Sequence, residues 1–199
     1  MEKELFGLVG VVFGFTLKLL HDGWEKRKQR QKEQCYLAAV VTMQLESFFD
    51  NALAVCNDNG MPDERGEYHV TVPYPKFNLS HLDVDWRCLS QSLMLDILWL
   101  PEKIREATEL ICSINEHVAF PPDHDELFEA RQYEFAKLAL TADELSSKLR
   151  KVAKLPARVI GDEFYNPREN LKELLVKIDR IRQQRETHNR KMFEGIAAQ

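Results

Sequence analysis

The sequence predicts an all-α fold: an N-terminal single transmembrane helix followed by an antiparallel helical bundle with one long irregular loop. Three observations lead there. Residues 5–20 are apolar apart from Thr16 and Lys18. Downstream, apolar residues recur at steps of three and four over several long stretches, the spacing of a buried helix face. The eight glycines and eight prolines fall mostly between those stretches, where helices end.

The apolar run comes first. Leu5, Phe6, Leu8, Val9, Val11, Val12, Phe13, Phe15, Leu17, Leu19 and Leu20 would face lipid. As a helix the run covers about 24 Å, against a hydrocarbon core of about 30 Å. Extension to Trp24 closes the gap, with Lys18 snorkelling and the indole at the interface. Residues 1–23 are therefore read as a membrane anchor. A signal peptide fits less well, because the start is Glu2-Lys3-Glu4 and no Ala-x-Ala follows. A buried core helix and an in-plane amphipathic helix are the other readings weighed. Gly7, Gly10 and Gly14 include one G-x-x-x-G, which lets two membrane helices approach closely. Glycine is also simply frequent in such helices.

A basic collar follows: Lys26, Arg27, Lys28, Arg30 and Lys32. Positive flanks stay on the cytoplasmic side, so the amino terminus is expected outside and residues 24–199 in the cytoplasm. The net charge of −5 argues against general nucleic-acid binding. Cys35, Cys56, Cys88 and Cys112 form no C-x-x-C and read as buried reduced thiols.

A long helix is expected from about Trp24 to Cys56, with Ala38, Val41, Leu45, Phe48, Ala52 and Val55 on one stripe. Gly23 is the one candidate joint with the anchor. Residues 57–82 are an irregular insertion of turn-forming residues. Tyr68–Val72 has the composition of a short strand, which Pro73 and Pro75 confine to a small hairpin or an edge. The aromatics Tyr68, Tyr74 and Phe77 should hold this loop on the helices.

Helix is expected again from Asp83–Asp85, with Trp86, Leu89, Leu93, Ile97 and Leu100 as core. Leu95, Leu98 and Trp99 widen that stripe and predict burial on more than one side. Pro101 opens the next helix, which presents Ile104, Ala107, Ile111, Ile114 and Val118. After Pro121-Pro122, a helix to about Lys154 carries two interleaved heptad series. They are Phe128, Phe135, Ala142, Leu149 and Arg131, Leu138, Leu145, Val152. Asn166-Pro167-Arg168-Glu169 caps the last helix, whose core is Leu171, Leu174, Leu175, Ile178 and Ile181. Its basic end should overhang the bundle in solvent or return to anionic lipid.

Little chemistry is legible. His117, Asp123, His124, Asp125, Glu126 and Glu129 are the densest polar cluster. Asp123 with Glu126 reads as a capping box rather than a metal site. His69 and His81 lie among Asp63, Asp83 and Asp85 without a recognisable nucleophile–base spacing. Arg131 breaks a hydrophobic seam. It needs an acidic partner such as Glu46, Glu109 or another acid, or else it forms an anion site. No cofactor, metal or nucleic acid is expected. The expected partners are the bilayer and either another protein or a second copy. The leading expectation is a membrane-tethered cytoplasmic interaction or scaffold protein. The alternatives are a ligand sensor or enzyme with a site between the 57–82 loop and the bundle, and a membrane-acting effector assembling through its glycines.

Overall fold

A computed structural model describes residues 2–161 and 165–197, with the side chains of residues 2–14, 16, 19, 193 and 195–197 excepted. The chain is mostly helical, as the periodicity requires. Helix α1 (Glu2–Cys56) is continuous, and Gly23 makes no joint in it. A two-stranded hairpin, β1 (Met61–Pro62) and β2 (Tyr68–His69), lies in the insertion. A 3-10 turn (Trp86–Cys88) leads to α2 (Gln91–Leu98), α3 (Leu100–His117), α4 (Asp125–Val152) and α5 (Pro167–Ala197).

Helix α4 is the central element, against which α1, α2, α3 and α5 all pack. The interleaved heptads explain this. Both series are buried on α4, with only Val152 half-exposed, so the helix presents apolar surface over a wide arc. The α1 stripe Ala38, Val41, Leu45, Phe48, Ala52 and Val55 is fully buried against it. Helices α1 and α4 run antiparallel: Glu46 pairs with Arg150 at one level, and Cys56 Sγ donates to the Gln132 carbonyl at another. Helix α5 is antiparallel to α4 too, with Arg168 on Asp143 and Arg182 on Glu129.

Caps follow the sequence in part. Asn166 Oδ1 accepts from the Arg168 N–H at 3.1 Å, with Pro167 opening α5. The expected capping box at Asp123 does not form. The residue before α4 is His124, in the left-handed region at φ 49°, with no side-chain cap. The helix expected from Asp83–Asp85 is broken: Asp85 caps only the 3-10 turn, and Ser90 caps α2. That break turns Leu95, Leu98 and Trp99 outward instead of burying them on a second side. Cys56 and Cys88 are buried and Cys35 is half-buried, but Cys112 is exposed. Burial pushes the Cys56 thiol up to about 12, so it stays protonated.

Candidate functional site

Of the described side chains in the N-terminal half of α1, all are exposed except the half-exposed Asp22. The nearest tertiary hydrogen bonds to this segment are Arg30 Nη2 to the Arg87 carbonyl (3.1 Å) and Gln34 Nε2 to the Cys88 carbonyl (2.9 Å). The residues before Arg30 extend about 42 Å as helix. Of the expected anchor, Phe15 (61% exposed), Leu17, Leu20 (70%) and Trp24 (61%) face outward. The side chains of Leu5, Phe6, Leu8, Val9, Val11, Val12, Phe13 and Leu19, and the glycine face Gly7, Gly10 and Gly14, lie outside the described residues. The collar Lys26, Arg27, Lys28, Arg30 and Lys32 is exposed, and Lys28 Nζ sits 5.2 Å from the Trp24 ring centroid. Among the described residues, no helix is long and apolar enough to cross a membrane.

Arg131 is buried, with 2% of its side chain exposed, and its partner is neither Glu46 nor Glu109. Glu46 accepts from Ser146 and Arg150, while Glu109 pairs with Arg105 along α3. The partner is Asp58, from the turn after α1, at 3.1 Å. Asp58 also accepts from the N–H groups of Gly60, Thr71 and Val72 and from the Thr71 hydroxyl. Burial pushes the Asp58 carboxyl up. The hydrogen bonds from Thr71, Val72 and Gly60 outweigh it and hold the carboxyl below its ordinary value of 3.8. Arg131 Nη2 also donates to the Val72 carbonyl at 2.7 Å, and its guanidinium lies over Tyr74, which stacks on Phe135. Asp58 takes five hydrogen bonds from within the chain, and its carboxylate fills the place beside the guanidinium that a bound anion would need. This is therefore a structural node that ties both ends of the loop to α4, not an anion site open to a ligand.

The node positions the hairpin. Gly60 adopts φ +75°, and a Cβ there would lie 2.4 Å from Phe128 Cζ. Beyond it, Asp63 Oδ1 accepts from the N–H groups of Arg65 and Glu67, closing a turn with Gly66 at φ +81°. The Tyr68 N–H donates to the Pro122 carbonyl, and His124 Nε2 lies 3.0 Å from Glu67 Oε1. The hairpin is thus fixed to the α3–α4 connection.

A groove of about 500 Å³ runs between the hairpin, the start of α4 and α5; Asn59, Tyr68, Asp125, Phe128, Gln132 and Ile178 are among its walls. Asp123 and Glu129, two of the acids singled out in the sequence, also line it. Glu129 is already held by Arg182 and Arg185. His117 is exposed on the last turn of α3, and His81 is exposed in the loop. The predicted cluster around His117 therefore does not form one site. The residues it missed are Asp58, Glu67 and Gln132. Their roles come from contacts across 57 to 74 positions, which helical periodicity does not encode.

The basic end of α5 overhangs the bundle, with residues 183–192 exposed. It leaves beyond Glu129, at the end of α4 opposite the one that meets the base of the α1 projection. The direction of α5 thus carries this segment away from the N-terminal helix. Compared with known proteins, the chain matches no family model, no curated protein and no solved structure.

Proposed function

We propose that the chain is a membrane-tethered interaction protein, with the N-terminal half of α1 seated in lipid and the helical bundle held at the cytoplasmic face. The observation that carries this reading is a projecting helix with Phe15, Leu17, Leu20 and Trp24 uncovered. Moving such a side chain out of water is worth about 1.5–3 kcal/mol each, and among the described residues these four are left largely exposed. The collar then meets headgroups, with Trp24 and Lys28 at the boundary. The apolar segment is short, so it enters a tilted or locally thinned bilayer. The groove beside the hairpin and the surface around Trp99 are the faces offered to a protein partner.

The test compares the full chain with a version lacking residues 1–23 in membrane fractionation and carbonate extraction. Full-length protein is expected in the carbonate-resistant pellet and the shortened one in the supernatant. Full-length protein that stays soluble without detergent overturns the reading. Crosslinking of Gly10→Ile and Gly14→Ile in the same membranes tests self-association through the glycine face, which predicts loss of dimer.

A second reading is a small-ligand site in the groove, favoured by its volume and by the polar Asn59, Gln132 and Tyr68 beside apolar Phe128 and Ile178. Gln132→Leu, whose amide donates to both Asp58 O and Asn59 Oδ1, would abolish ligand-dependent stabilisation on that reading.

A further inference from the structure

We propose that the hairpin turn is a zinc site built from Asp63, Glu67 and His69, with His124 holding Glu67 in place. The expectation of no metal rested on the lack of a spaced ligand motif, whereas here folding assembles the donors. Glu67 stands immediately before β2 and His69 ends it, two residues apart at the mouth of the turn. Asp63 lies across the turn from Glu67, its N–H donating to the Glu67 carbonyl at 2.9 Å. One donor atom from each of the three residues lies within 4.8 Å of the others. Zinc bonds of about 2.0–2.1 Å in a tetrahedron separate two donors by roughly 3.3 Å. His69 Nε2 and Asp63 Oδ2 are already 3.2 Å apart.

The remaining details fit ligands better than an ordinary surface pair. Asp63 Oδ1 is committed to two backbone N–H groups, which fixes the carboxylate and leaves Oδ2 for the metal. Glu67 is held at 3.0 Å by His124, which is itself only 15% exposed, so one acid is oriented from the bundle side. Among the described residues, no Lys or Arg pairs with either acid, while Asp58, Glu129 and Asp143 are each matched to arginine. One imidazole and two carboxylates suit zinc; magnesium, which favours oxygen donors and retains its water, suits the set less well. Three protein donors leave a fourth position for water or a partner's side chain. The other cluster of donors, Glu33, Asp85 and Cys88, is the poorer choice. Arg87 grips Asp85 through two bonds, and Arg30 shares the same cleft.

The test uses the full chain in mild detergent, titrated calorimetrically with zinc chloride, with thermal unfolding followed before and after chelation by EDTA. One zinc per chain is expected, with a rise in Tm that EDTA reverses and that magnesium does not reproduce. His69→Ala and Asp63→Asn should lose the binding while keeping the helical circular dichroism. His124→Gln should weaken it by about 10- to 100-fold. Cys112→Ser should bind as the parent does, and the cobalt-loaded protein should show no thiolate charge-transfer band. Absence of stoichiometric binding, equal affinity in His69→Ala, or a thiolate band would each overturn the assignment. None of these readouts depends on whether α1 enters lipid.

Discussion

Arg131 and Asp58 are the residues on which the insertion depends. Both are almost wholly buried, so removing one partner strands the other charge out of water. Arg131→Met is expected to cost about 3–5 kcal/mol in urea unfolding. The double variant Asp58→Asn/Arg131→Met should cost less than the sum of the two single changes, because the residues share one network. The pH dependence follows from the lowered Asp58 carboxyl. A depressed acid contributes stability that is complete above its unfolded value of 3.8 and is lost as the pH falls through the lower folded value. Urea midpoints measured from pH 5 down to pH 2.5 should therefore fall less steeply in Asp58→Asn than in the parent. An identical slope would mean that folding leaves the Asp58 carboxyl at its unfolded value.

In the hairpin the steric demand falls on one of its two turn glycines. Gly60 and Gly66 both have positive φ, but only Gly60 faces a side chain. Gly66→Ala meets open space and carries the backbone cost alone, about 1 kcal/mol. Gly60→Ala adds a clash with Phe128, so its loss should exceed that of Gly66→Ala by about 1–3 kcal/mol. Limited proteolysis within residues 57–82 should quicken in the same order. Helix α4 shows the opposite case, where pattern alone sufficed. Phe128, Phe135, Ala142, Leu149 and their interleaved partners are buried as their spacing requires, because a helix turns every seven residues almost back on itself. The segment from Trp86 to Leu100 is where pattern misled. Its apolar spacing is continuous, but Asp85 and Ser90 each offer a side-chain cap, so a 3-10 turn and a short helix replace one long one.

The whole molecule is a bundle gathered on α4, with helices projecting from opposite ends. Among the described residues the hydrophobic cluster begins on α1 at Leu37, so deletion of residues 1–23 removes none of its described side chains. That version should unfold cooperatively with nearly the parent Tm, as read by circular dichroism in matched detergent. A large loss would mean that the projecting helix packs on the bundle.

Helical content, the core faces of α1, α4 and α5, and the Asn166 cap are local properties, and they are readable from spacing because the 3.6-residue repeat acts over a few turns. Arg131 could be recognised as needing a buried acid from its place in an apolar seam. Which acid it takes was settled only when the chain folded back across 73 positions to bring Asp58 alongside. The pairing of Glu67 with His124, the face shared by Asp63 and His69, and the outward turn of Trp99 arose in the same way. Each depends on where a loop is held against a helix, and that position comes from the summed packing of distant segments rather than from any stretch of residues read in order.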